Sequence, residues 1–304
     1  MATTLDWYGC ATFALRTAGR DIMLDAYVDR AANAAGPGVG VEHVTACDWI
    51  LIGHAHFDHL WGAERIAPRT GATIVASHET VRVLEAAGVP LERMIPVAGG
   101  ETIELGEGVT VRVLPSQHSC VWSHAGMHPA DEVCLGDLGV TWHERRRRMG
   151  ELNDYLFGEL DPVAVEHLRA GSVGHSDRGD GGALVFLIET PDGSILFQDT
   201  SGRWTGVVER LRPDVAILAA AGRGNVDGEP VQGSLAEFVA EEVELLGGPS
   251  TVVLCHHDDW LPGFSVATDV APIREAIERR SPGTELLELG YLDATPILGA
   301  RPGG

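Results

Sequence analysis

The run His54-Ala55-His56-Phe57-Asp58-His59 places four metal-ligand side chains within six residues. His54, His56 and Asp58 are spaced by two, so an extended chain presents them on one side. His59 breaks that alternation and would point away if the strand continued. The residues that follow, Leu60-Trp61-Gly62-Ala63-Glu64-Arg65-Ile66-Ala67, read as a helix. The chain therefore turns near Asp58, and the turn can swing His59 back towards the others. Imidazole and carboxylate donors together suit one or two divalent cations; zinc ranks first, with manganese or iron as alternatives. A solvated histidine-rich loop is the competing explanation. Three histidines and an aspartate placed directly after the buried-strand run Trp49-Ile50-Leu51-Ile52-Gly53 argue against it.

The surrounding sequence supplies the elements that must position these residues. Strands are expected at 12–16 and 21–25 around the turn Ala18-Gly19-Arg20, with a loop rich in Ala, Gly and Pro over 31–41. A strand at 73–76 precedes a helix at 79–87 that Gly88 and Pro90 terminate, and a hairpin follows at 101–105 and 109–114. From 120 to about 182 the character changes: Trp122, Trp142, several histidines, four consecutive arginines and two helices at 149–158 and 162–170. Strands resume at 183–189, 194–198, 215–219 and 251–255, with helices at 235–246 and 269–279 and a fraying tail at 299–304. No fixed-period repeat is evident. Two packed sheets with helices outside satisfy this order. Residues 1–304 then form one α/β domain, with 120–182 as a mainly helical insertion or cap over one edge.

Composition narrows the partners. A hydrophobic content of 44% is ample for a packed core. The net charge is −22, from 44 acidic and 22 basic residues, so the surface repels polyanions and nucleic acid is a poor partner. Every cation is Arg, which excludes a lysine Schiff base and a phosphate-loop lysine. Cys10, Cys47, Cys120, Cys134 and Cys255 are scattered and lack any Cys-x-x-Cys pair, as expected of reduced, packed thiols. The apolar stretch at 215–221 is far short of the roughly 18 residues that span a bilayer, and no export signal is visible at the N-terminus. A cytoplasmic protein without membrane insertion is expected; whether it forms a homo-oligomer is left open.

His-x-His-x-Asp-His after a buried strand resembles the signature of the metallo-β-lactamase fold superfamily. The opening Trp7-Tyr8-Gly9-Cys10-Ala11-Thr12-Phe13, followed by Arg20-Asp21-Ile22-Met23-Leu24-Asp25, is similar to the branch of ascorbate-6-phosphate lactonase-like hydrolases. Members of that branch often have Gly-His-Ala/Ser where this chain has Cys10. The resemblance implies a four-layer αββα sandwich of two mixed β-sheets flanked by helices. It also implies three further ligands: His118, Asp199 and His256. The tandem His256-His257 leaves two readings, and the family pattern fits His256, with His257 in an aromatic slot. The implied centre is dinuclear, with His54, His56 and His118 on one ion, Asp58, His59 and His256 on the other, and Asp199 between them.

Two cations about 3.5–4 Å apart would hold a water and lower its pKa from about 15.7 towards 7. The metal-bound hydroxide could then attack a small-molecule ester or lactone carbonyl, the expected reaction, or a phosphodiester, the alternative. Asp58 and Asp199 are the expected catalytic carboxylates. A non-catalytic metal-binding or sensor module would predict a lost ligand, and a di-iron redox protein would predict carboxylate replacements; the sequence shows neither. Asp25 could orient a ligand histidine or simply end a strand. Candidate substrate contacts are Trp122, His124, His175, Arg203 and His257, with packing as the competing role for each; His128 and Gly222-Arg223-Gly224-Asn225 are weaker still. Arg145 to Arg148 would spread around a helix and pair with acids such as Glu144, Glu151 and Asp154.

Overall fold

The computed structural model describes residues 2–123, 129–172 and 180–299. The first sheet contains β1 (Thr3–Gly9), β2 (Thr12–Thr17), β3 (Arg20–Leu24), β4 (Trp49–Ile52), β5 (Thr73–Ser77) and β6 (Met94–Val97), in that order, with β17 (Thr295–Leu298) outside β1. The second contains β7 (Thr102–Gly106), β8 (Val109–Pro115), β9 (Leu184–Thr190), β10 (Gly193–Gln198), β12 (Val215–Ala219), β15 (Thr251–Cys255) and β16 (Glu285–Leu286). In each sheet an antiparallel meander continues into parallel strands: β3 onto β4, and β10 onto β12. A small ribbon of β11 (Gly202–Arg203), β13 (Asn225–Val226) and β14 (Glu229–Pro230) stands apart from both.

The residue pattern explains the layering. Leu51 faces the core between the sheets with Phe13, Leu24, Phe186 and Phe197. Its neighbours Ile50 and Ile52 face the opposite side, under α2 (Ala63–Thr70) and α3 (His78–Ala86). Both faces of β4 are covered, so its sequence is a continuous apolar run instead of an alternating one. The second sheet repeats the scheme, with Leu196, Leu218 and Leu254 packed against α7 (Leu235–Leu245) and α8 (Ala271–Arg280). The implied αββα sandwich is the fold observed. Among the described residues, no helix is long and apolar enough to cross a membrane.

Two expectations change. The helix expected at 60–67 is two helices, α1 (Phe57–Leu60) and α2, broken at Trp61 and Gly62. Gly62 has φ +133°, and a β-carbon there would collide with the Ala26 carbonyl. The break lets the His59 and Trp61 carbonyls accept from the Ala26 and Val28 N–H groups, which ties α1 to the segment after β3. The helix expected at 149–158 is α4 (Trp142–Glu159), followed by α5 (Pro162–Ser172). Its first turns are held by Arg147 on Glu144 and Glu151, and by Arg148 on Glu144 and Asp137. The pairing of β1 with β17, across almost the whole chain, had no local signal. A helical turn, α6 (Thr205–Val208), completes the elements.

Candidate metal centre

Strands β1, β3, β4, β8, β10 and β15 all deliver the residue that follows them to the same edge of the sandwich. Within three residues of their ends come Cys10, Asp25, the start of the 54–59 run, His118, Asp199 and His256. All seven ligand candidates therefore converge, although Asp58 and His256 lie 198 positions apart.

His54, His56 and His118 form one group. His54 Nε2 lies 3.1 Å from His56 Nδ1, and the rings of the three residues stand 4.7 Å apart, each nearly perpendicular to the others. Their donor nitrogens can all lie within 4.8 Å of one another. His54 Nδ1 donates to Asp199 Oδ2 at 2.7 Å and His118 Nδ1 donates to the Ser119 carbonyl at 2.9 Å. Each of these bonds fixes the ring with Nε2 free to face the group's centre.

Asp58, His59 and His256 form the second group. Asp58 Oδ2 is 3.5 Å from His59 Nε2 and 3.2 Å from His256 Nε2. His59 Nδ1 donates to Asp25 Oδ2 at 2.7 Å, while Asp25 Oδ1 accepts from the Gly53 N–H at 3.0 Å. Asp25 thus orients a ligand candidate, the more specific of its two sequence readings. Asp199 lies between the groups: its Oδ2 also approaches His59 Nδ1 at 3.2 Å, and its Oδ1 is buried without a hydrogen-bond partner. Gly53 makes room for it, because a β-carbon there would overlap the Asp199 carboxylate.

The site's electrostatics favour a cation. Burial and the neighbouring imidazoles hold His54 and His56 well below the usual histidine range, and burial lowers His118 too. These rings are neutral, the form that binds metal. Burial works against the charge on Asp58, yet His59 and the hydrogen bonds from His256 and His59 keep its carboxyl well below the usual range. Burial also disfavours charge on His59, but Asp58, Asp25 and Asp199 together raise it. Burial and the charge of Asp199 push Asp25 up to about 7. The unpartnered buried oxygen of Asp199 and the neutral imidazoles of His54, His56 and His118 are donors that a divalent cation would satisfy.

The centre forms the floor of a cavity of about 420 Å³. His56, Asp58, His59, His118 and His256 face it, and its walls include Val121, Met149, Leu152, Trp260, Phe264 and Val266. The candidate substrate contacts fare less well. His257 stacks on Trp7 at 4.7 Å, away from the cavity, which separates it from His256. Trp122 lies under the Arg145 guanidinium at 4.3 Å. Arg203, expected at the rim, is 1% exposed; it stacks on Phe238 and pairs with Glu241 because β11 directs it towards α7. Arg223 is likewise spent, on Ser123, Asp137 and the Val231 carbonyl. His124, His128 and His175 lie outside the described residues.

Two residues gain roles the sequence did not give them. Cys10, read only as packing, has its Sγ close enough to the Asp58 and His256 donor atoms to share a cation with them. Asp258 accepts from the Cys10 N–H at 3.0 Å, from Arg30 at 3.0 Å and from the Tyr291 hydroxyl at 3.1 Å. His256, at φ +60°, donates its N–H to the Cys10 carbonyl at 2.8 Å. The signal for Asp258 was its place beside a ligand histidine, without any cue to its partners.

A family model described as a beta-lactamase superfamily domain matches residues 20–150. A UPF0173 metal-dependent hydrolase of Pyrobaculum arsenaticum is 33% identical over 167 residues, covering 55% of this chain and 71% of the relative. One from Methanopyrus kandleri is 30% identical over 173 residues, covering 55% and 72%. Among solved structures, the Igni18 metallo hydrolase of Ignicoccus hospitalis superposes with a TM-score of 0.60 at 16% identity, covering 96% of this chain and 97% of its own. An isothiocyanate hydrolase from Delia radicum gut bacteria gives 0.59 at 15%, covering 97% and 99%. Those two share the fold; the sequence relatives carry the family. This chain belongs to the UPF0173 family of metal-dependent hydrolases, within the metallo-β-lactamase superfamily.

Proposed function

We propose that the chain is a dinuclear hydrolase acting on the carbonyl of a small-molecule ester or lactone. His54, His56 and His118 would hold one divalent cation, zinc in the first instance, and Asp58, His59 and His256 the other. Asp199, whose Oδ1 has no hydrogen-bond partner, would serve as a ligand between the two groups. The observation that carries this reading is the convergence of seven donor side chains, five of them lining an open cavity, around the buried unpartnered oxygen of Asp199. The cations would supply an acidified water and an electrophile for the substrate oxygen.

The chain's own groups do the rest. Asp25 and Asp199 accept Nδ1–H bonds and so present the Nε2 lone pairs of His59 and His54 to the centre. Asp58 reaches the cavity and is held ionised, so it can orient the attacking water or take its proton. Helix α4 would serve as part of a cap, since Met149 and Leu152 form part of the wall over the centre. Metal-loaded protein should hydrolyse lactones or carboxylic esters at rates that track metal content. A preference for bis-p-nitrophenyl phosphate over every carbonyl substrate would make it a phosphodiesterase instead.

A further inference from the structure

We infer that the substrate is uncharged and carries an apolar aliphatic or aromatic group, which the wall above the metal centre binds. The inference rests on the ester or lactone reading for the reaction, but not for the binding. Met149 and Leu152 are three apart on α4 and so share a face. Val121, Trp260, Phe264 and Val266 extend the same apolar lining from other segments. Apart from Asp58 and the four histidines of the centre, the polar side chains that line the cavity are hydroxyls, such as those of Ser119 and Thr200, one amide, that of Asn153, and the indole of Trp260. Among the described residues, no arginine lines the cavity.

Among the described residues, four arginines of the surrounding segments are committed elsewhere. Arg30 pairs with Asp258, Arg203 with Glu241 and Arg223 with Asp137, while Arg145 lies on Trp122 and bonds the Val140 and Gly228 carbonyls. An anionic substrate would lose its hydration shell without gaining a charged partner from these side chains. It would also approach against a net charge of −22. A neutral molecule pays neither cost, and its apolar group gains by leaving water. A cavity of about 420 Å³ is large enough for such a group beside the reacting carbonyl.

The test uses the metal-loaded full chain and two probe series. For γ-lactones of increasing alkyl length, kcat/KM should rise about fourfold per buried methylene until the cavity is full. Alkyl hydroxamates, which chelate metal without being hydrolysed, should show the same slope in Kd by calorimetry. Leu152→Arg should flatten both slopes at unchanged metal stoichiometry; Val266→Ser, a milder change, should lower them if the first variant folds poorly. A slope of one in the hydroxamate series, or tighter binding of carboxylated than of alkyl hydroxamates, overturns the inference. A rising hydroxamate slope without turnover of any lactone or ester upholds the apolar site and sinks the reaction reading alone.

Discussion

Asp25→Asn tests how the proposed second metal site is held. The side chain is fully buried, with Oδ1 accepting from the Gly53 N–H and Oδ2 accepting from His59 Nδ1. Asn keeps the shape but has only one acceptor. If its oxygen stays with Gly53, its NH2 faces His59 Nδ1, and two donors confront each other. The imidazole relieves this by moving its proton to Nε2, the atom that faces Asp58. A protonated Nε2 cannot ligate. Loss of such an orienting bond costs about 10–100-fold in metal affinity, or about 1.4–2.7 kcal/mol. Metal content after equilibration with graded chelator should show one ion weakened and the His54/His56/His118 ion retained, with Tm close to the parent's. Because Asp25 is pushed up to about 7 in the metal-free protein, its carboxylate protonates as pH falls through that value. The gap between parent and variant should therefore shrink below pH 7. Wild-type affinity for both ions in the variant at pH 8 would refute the orienting role.

Other perturbations reach the same structure from different sides. Gly53→Ala sets a β-carbon against the buried Asp199 carboxylate; a loss of about 1–3 kcal/mol, read as a lower Tm, and reduced metal content are expected. His56→Ala should lose metal and activity together, and full turnover at unchanged stoichiometry would remove His56 from the centre. Glu242→Gln addresses pH: burial pushes Glu242 up to about 7 from 4.5, so its ionisation is disfavoured in the folded state. The stability it contributes is complete below about pH 4.5 and lost as pH rises through 7. Denaturant titrations should therefore find the variant more stable than the parent above pH 7, by at most about 3 kcal/mol, and without advantage at pH 4.

The run of candidate ligands was legible because chemical identity and spacing are written locally, and because a buried strand must end in a turn. The two parallel halves follow from the apolar runs at β4, β12 and β15, whose period says that both faces are covered. What stayed hidden depends on tertiary direction. Arg203 looks like a rim cation four residues after Asp199, yet Gly202 pairs into the ribbon and turns the guanidinium onto Phe238. Met149 and Leu152 are unremarkable on a polar helix until α4 is placed over the centre. Gly62 reads as a tolerated helix residue, and only contact with Ala26 shows why the helix must break there.

The bond between the Cys10 carbonyl and the His256 N–H, and the pairing of β1 with β17, have a consequence for biosynthesis. The chain emerges from the ribosome N-terminus first, so the 54–59 donors are made long before His256. During that interval the nascent chain holds an incomplete centre, and the outer edge of β1 is uncovered. The donors are completed by His256 and the edge of β1 by β17. Completion of the proposed donor set therefore waits on the synthesis of His256, and a chain stalled between His256 and β17 would carry all seven donors beside an open strand edge.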